Sequence, residues 1–152
     1  MIDIRLDNIA GHEVDDLLKA SDEYMERLYP SESNHLIYLD QLLNPANVFI
    51  GAYFKDNIVG CGAIVLNPES LEYGEVKRLY VDESYRGHKI ATKIMNKLEE
   101  LAKGYGILGL RLETGIYQPE AISLYQKLGY QNILPFGGYE EDLLSVYMGK
   151  IF

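Results

Sequence analysis

Glu75-Val76-Lys77-Arg78-Leu79-Tyr80-Val81, then Asp82-Glu83-Ser84-Tyr85, then Arg86-Gly87-His88-Lys89-Ile90-Ala91-Thr92-Lys93-Ile94-Met95, is the stretch around which the rest of the chain falls into place. It reads as a strand, a tight turn and the first turns of a helix. Alternation puts Glu75, Lys77, Leu79 and Val81 on one face of the strand and Val76, Arg78 and Tyr80 on the other. Four basic side chains, Arg86, His88, Lys89 and Lys93, crowd the helix entry in a chain whose net charge is −9. A helix start exposes unpaired N–H groups and the positive end of the peptide dipoles. The turn at residues 86–91 is therefore suited to a phosphate.

Working outward, 152 residues are enough for one domain, spanning residues 1–152, with a proper core and no need of disulfides or metals. The acidic balance argues against a general affinity for nucleic acid or an anionic membrane. The one cysteine, Cys61, lies in the apolar run Ile58-Val59-Gly60-Cys61-Gly62-Ala63-Ile64-Val65 and reads as a small core residue. The first residues lack the apolar region of a signal peptide, and no run approaches the roughly 20 apolar residues of a membrane span. The expected location is the cytoplasm. No metal-ligand spacing is present. Assembly as a homodimer stays open.

Before the central stretch, Ile2, Ile4 and Leu6 alternate as a first strand. From Gly11 the apolar period becomes helical, and Pro30 closes that segment. A second short helix is expected over 34–43, ending before Pro45. The link between them, Tyr29-Pro30-Ser31-Glu32-Ser33-Asn34-His35, reads either as a binding loop or as a plain connection capped by Ser33 or Asn34. Residues 48–54 and 58–66 read as a hairpin that continues into residues 74–81 as a three-stranded meander. After it, Ile90, Ile94, Leu98, Leu101 and Ala102 line one face of a helix, with Lys93, Lys97, Glu99 and Glu100 off it. Residues 107–114 form a strand, so that strand–helix–strand favours a parallel pair. A further helix starts at Pro119 and ends at Gly129. Two strands joined by the turn-rich Pro135-Phe136-Gly137-Gly138-Tyr139 complete the chain. The order β-α-α-β-β-β-α-β-α-β-β is a mixed α/β, or α+β, layer fold.

Three residue readings bear on chemistry, each with a plain structural counterpart. The 86–91 turn is neither a P-loop nor a dinucleotide fingerprint, and alone reads as a solvated basic turn. Tyr125 is a core tyrosine or a general acid. Glu75 is a base with a perturbed pKa or one half of a cross-strand ion pair. His12 and His88 read as surface residues.

In combination these segments resemble the GNAT superfamily of N-acetyltransferases over nearly the whole chain. The superfamily's Arg/Gln-x-x-Gly-x-Gly/Ala loop falls on Arg86, Gly87, His88, Lys89, Ile90 and Ala91. The preceding Lys-Arg-Leu-Tyr-Val and the later Ala121-Ile122, Leu124-Tyr125 and Leu128-Gly129-Tyr130 are also typical. Small stand-alone bacterial members share Leu112-Glu113-Thr114-Gly115, Gln118-Pro119-Glu120-Ala121, the Pro135-to-Tyr139 turn and the Leu28-to-His35 segment.

The resemblance implies a central, mostly antiparallel sheet of about seven strands with a splayed parallel pair, flanked by about four helices. It implies acetyl-CoA as co-substrate. Backbone groups of Leu79, Tyr80 and Val81 would pair with the pantetheine, and N–H groups of residues 86–91 would hold the pyrophosphate. Gln118 would stand where many members carry Asn. Tyr125 would protonate the departing thiolate, and Glu75 would accept the amine proton, with His35 as an alternative base. Tyr29, Asn34, His35 and Tyr139 would contact the acceptor. The reaction implied is acetyl transfer to a primary amine by direct attack in a ternary complex. A non-catalytic acyl-CoA-binding module and a protein acetyltransferase are the alternatives. Lys89 departs from the pattern, since a glycine is usual there.

Overall fold

The computed structural model describes residues 3–33, 37–67 and 69–152. Among these, seven strands form one open sheet in the order β1-β2-β3-β4-β5-β7-β6. The strands are β1 (Ile4–Asn8), β2 (Val48–Phe54), β3 (Asn57–Leu66), β4 (Gly74–Val81), β5 (Gly109–Gly115), β6 (Gln131–Asn132) and β7 (Ser145–Ile151). Four α-helices accompany them: α1 (Asp15–Leu28), α2 (Leu39–Leu42), α3 (Ile90–Gly104) and α4 (Pro119–Lys127). Every neighbouring pair is antiparallel except β4–β5, which is parallel as the connection through α3 requires.

The helices cover both faces of the sheet. On one face, Ile90, Ile94 and Leu98 of α3 and Tyr125 of α4 pack with Val76 and Leu112. On the other, Val14, Leu17 and Leu18 pack with Phe49, Cys61 and Tyr80. The helical face of α3 continues through Ala102, as the sequence period requires. Gly62 lets α3 lie close: a Cβ there would sit 2.8 Å from Ile94 Cγ2. Cys61 is fully buried.

Several boundaries differ from expectation. The first helix starts at Asp15, because His12–Val14 forms a tighter 3₁₀ turn. Asp15 and Asp16 in its first turn and Arg27 in its last suit the helix dipole. The second helix is one turn, Leu39–Leu42, rather than the ten residues expected. β6 is two residues long. Glu99, assigned to the polar face of its helix, is buried at 6% exposure. It accepts hydrogen bonds from Tyr130 Oη at 2.9 Å and Lys150 Nζ at 2.8 Å, which tie α3 to β7 and to the chain after α4. A helix period cannot anticipate partners that arrive from residues 130 and 150.

The largest correction concerns β4. Cys61 pairs with Tyr80 but Ala63 pairs with Lys77, so three steps of β4 oppose two of β3. The extra residue is a β-bulge at Arg78, whose φ is +58°. Side-chain parity flips there. Val76 and Val81, five residues apart, both join the α3-side core, with Leu79 packed against it. Tyr80 joins the α1-side core. Glu75 and Lys77 do share a face, as alternation gives, but Leu79 and Val81 lie on the opposite one.

Candidate active site

The parallel β4–β5 ladder is short. Only Gly74↔Leu110 and Glu75↔Arg111 pair, after which the strands diverge. The opening holds a cavity of about 120 Å³, walled by Leu79 of β4, Leu112 and Thr114 of β5, Met25 of α1, and Gln118 and Tyr125. The bulge at Arg78 and the splay act together here. They leave the end of β4 with main-chain groups that no neighbouring strand on the β5 side takes up, a surface able to pair with an extended ligand.

Tyr125 is 6% exposed and lies on the cavity wall. Its ring meets Tyr130 edge-on at 5.9 Å. Burial pushes the phenol well above its ordinary value, so it stays protonated and able to donate. Among the described residues its hydroxyl has no hydrogen-bond partner, although a buried hydroxyl normally has one.

Glu75 enters the same cavity from β4. Its carboxylate accepts a 2.6 Å hydrogen bond from Tyr139 Oη and lies 3.3 Å from Lys77 Nζ. Lys77 Nζ also donates to Tyr139 Oη. The ion pair is thus between neighbours on one strand rather than across strands. Both members are largely buried, at 21% and 17% side-chain exposure. Burial and the neighbouring Glu75 carboxylate raise the Tyr139 phenol. A groove beside this trio carries Glu32, Glu140, Glu141 and Asp142.

The turn into α3 begins with Asp82, whose carboxylate accepts from the Ser84 N–H at 2.8 Å. Gly87 has φ +86° and Lys89, the N-cap of α3, has φ +61°. The left-handed backbone at Lys89 explains why glycine suits this position. Residues 86–89 are exposed, and Ile90 is in the core. The side chain of Lys89 borders a second groove, between α3 and α4, with Thr92, Ser123 and Lys127. Among the described residues no cluster of three His, Cys, Asp or Glu side chains could hold a metal.

The acetyltransferase (GNAT) family model matches residues 14–130, a span that includes the splayed strands, the turn and the tyrosine helix. The chain belongs to the GNAT family of acetyltransferases. It is 42% identical over 134 residues to the IAA acetyltransferase of Azospirillum brasilense, covering 88% of this chain and 87% of the relative. A Klebsiella pneumoniae protein assigned as an acyl-CoA N-acyltransferase superposes with a TM-score of 0.84 at 36% identity, covering 97% of both chains. The fold also matches PaiA N-acetyltransferase from Thermoplasma acidophilum, solved with coenzyme A, at a TM-score of 0.77 and 19% identity, covering 99% of this chain and 100% of that one.

With the GNAT frame in hand, the expected site residues separate into groups. Glu75, Tyr125, Leu79, Gln118 and Tyr29 line one cavity. Tyr139 joins them through Glu75. Tyr29, however, is 7% exposed and spends its hydroxyl on the protein: it accepts from the Tyr117 N–H and donates to Gln118 Oε1, both at 3.1 Å. These bonds fix the start of α4, while the Tyr29 ring stays on the cavity wall. Tyr80 faces the α1-side core against Tyr24, so only its backbone can serve the cleft. Arg86 folds back, its Nε donating to Val81 O at 3.2 Å and its guanidinium lying over the rings of Tyr24 and Tyr80. Its side chain braces the end of β4. Asn34 and His35 lie outside the described residues.

Sequence reasoning passed over Lys77 and Glu113 as site residues. Lys77 was two residues from Glu75 on the same face, a sufficient signal. Glu113 accepts from Ser145 Oγ at 2.8 Å and Tyr147 Oη at 3.2 Å, partners that only the β5–β7 register brings in.

Proposed function

We propose that this acetyltransferase moves the acetyl group of acetyl-CoA to the primary amine of a small molecule. The observation that carries this reading is the buried Tyr125 hydroxyl on the cavity wall, unpaired among the described residues. An unpaired buried hydroxyl costs about 1–3 kcal/mol. A thioester sulfur that arrives in the splay and accepts a hydrogen bond from this hydroxyl removes that cost, most strongly as negative charge develops on sulfur.

Acetyl-CoA lies along the open edge of β4, its pantetheine paired with backbone at Leu79, Tyr80 and Val81. Its pyrophosphate meets the N–H groups of residues 86–91, where the helix start favours anions. Gln118 holds the entry of α4, braced by Tyr29. The amine nitrogen attacks the thioester carbonyl carbon, and the C=O electron pair moves onto oxygen. A β4 backbone N–H stabilises that oxyanion. As the carbonyl re-forms, the C–S bond breaks, its electron pair goes to sulfur, and the sulfur takes the Tyr125 proton. Glu75 accepts the proton released by the amine, directly or through water. The products are the N-acetylated amine and CoA; exchange with water then takes the proton from Glu75 and returns one to Tyr125. The acidic groove beside Glu75 supports an amine acceptor, since it attracts the ammonium form. The small cavity favours a small molecule over a protein chain.

The test is a panel of amines, polyamines, amino acids and lysine peptides assayed for release of free CoA. Turnover of small amines supports the reading. Turnover of peptides alone makes it a protein acetyltransferase, and tight acetyl-CoA binding with no turnover makes it a binding module.

A further inference from the structure

The bulge in β4 is built on a residue that resists it. At φ +58° the Cβ of Arg78 crowds its own backbone, a conformation that non-glycine residues keep only where their surroundings hold them. Three contacts hold this one. The guanidinium pairs with Asp22 of α1. Its Nε donates to Ile37 O at 3.1 Å, on the segment leading to α2. The Arg78 carbonyl accepts from Cys61 Sγ of β3 at 3.2 Å. Burial pushes the Cys61 thiol up to about 12, so it remains a donor. The Arg78 side chain is only 5% exposed although the residue stands on the cavity wall.

We propose that Arg78 is a positioning residue: its guanidinium locks the β4 bulge, and with it the acyl-CoA-facing backbone of Leu79, Tyr80 and Val81, to the acceptor-side wall of α1 and Ile37. This rests on the acyl-CoA reading of the cleft given above. The physical reason is parity. Relaxing Arg78 to ordinary strand geometry removes the extra residue and turns each later side chain to the other face. Tyr80 would leave the α1 side, Leu79 and Val81 would leave the α3 side, and the N–H groups of this segment would reverse. A guanidinium suits the task because its planar fork engages a carboxylate on one edge and a carbonyl through Nε. A lysine has a single donor centre and cannot span both. The pair joins a buried guanidinium to a partly exposed carboxylate; such a pair adds little net stability, and its role here is to fix a strand register.

Arg78→Ala, Arg78→Lys and Arg78→Gly separate backbone from side chain. Glycine takes φ +58° without penalty, so it keeps the bulge after losing the guanidinium. Acetyl-CoA affinity is read by titration calorimetry, with a melting curve for each variant. Ala and Lys should weaken acetyl-CoA binding by about tenfold or more, and Gly should recover it to within about threefold of the parent. The KM for an acceptor amine should stay raised in Ala and Gly, because neither side chain can reach Ile37 O. Gly binding acetyl-CoA no better than Ala or Lys would overturn the proposal, as would parental affinity in Ala. A role confined to stability would change melting temperatures and leave the affinity of the folded variants unchanged. Should Ala fail to fold, Lys against Gly gives the same comparison. Because affinity needs no acceptor, failure to acetylate amines leaves this test standing. A parent protein that binds no acetyl-CoA would overturn the acyl-CoA reading and this proposal with it.

Discussion

Replacing Tyr125 by Phe should make the protein more stable and much less active. The substitution removes one oxygen and leaves the ring, which keeps its edge-on contact with Tyr130 at 5.9 Å and its place in the core. The lost hydroxyl is buried and has no partner among the described residues, so no folded-state hydrogen bond is broken. Removing an unsatisfied buried polar group returns about 1–3 kcal/mol. Water entering the cavity offsets part of that, so the low end applies: about 1 kcal/mol, or a rise of about 2–4 °C in Tm for a chain of this size. The kinetic effect runs the other way. Without the phenol, CoA must leave as an unprotonated thiolate, and losing a positioned acid costs about 10²-fold or more in kcat. KM for acetyl-CoA should stay nearly constant, because the hydroxyl acts on the departing sulfur. The measurements are a thermal melt and steady-state CoA release on the same preparation. Unchanged kcat would remove Tyr125 as the acid. A fall in Tm of several degrees would mean that the hydroxyl has a structural partner and that the buried-donor argument is wrong.

Three further outcomes are expected. Gly115→Ala would drive a Cβ into Tyr29 Oη, displacing the ring that braces Gln118; a loss of about 1–3 kcal/mol in a denaturant titration, with weaker acetyl-CoA binding, should follow. Lys89→Gly relieves left-handed backbone worth about 1–2 kcal/mol but adds about 0.5–1 kcal/mol of unfolded-chain freedom. Its stability should therefore rise by about 0–1.5 kcal/mol, while loss of the cation should weaken acetyl-CoA binding most at low salt. Alkaline pH should destabilise the fold. Cys61 titrates at about 12 when folded against 9.0 ordinarily, and burial likewise raises Tyr125 and Tyr130 above 10.0. Groups raised on folding contribute fully below their unfolded values and lose that contribution as pH climbs towards the folded ones. Urea midpoints should hold to about pH 9 and fall beyond it; a flat profile to pH 11 would contradict these burial assignments.

The strands, α3, α4 and the basic turn at 86–91 were legible because each is written in local pattern. Short continuous apolar runs mark β2 and β3, the apolar period marks α3, and Pro119 and Gly129 bracket α4. Family likeness then brought Glu75, Tyr125 and the turn into one proposed site, and the structure gathers Glu75, Tyr125, Leu79 and Gln118 around one cavity. What alternation could not give is the reversal of parity inside β4. A bulge is decided by whether Asp22, Ile37 and Cys61 arrive to hold Arg78 at positive φ, and those contacts span 17 to 56 residues of sequence.

The same distinction runs through the rest of the chain. By itself the sequence determined the order of elements, the acidic balance and the positive turn at 86–91, since these follow from neighbours within a few positions. Only the tertiary structure decided that the Tyr29 hydroxyl donates to Gln118, that Glu99 is buried between Tyr130 and Lys150, and that Glu75 is held by Lys77 and Tyr139. Each of those is a polar group whose role depends on its partner. The partner is supplied by register and packing between distant segments, where local periodicity carries no information.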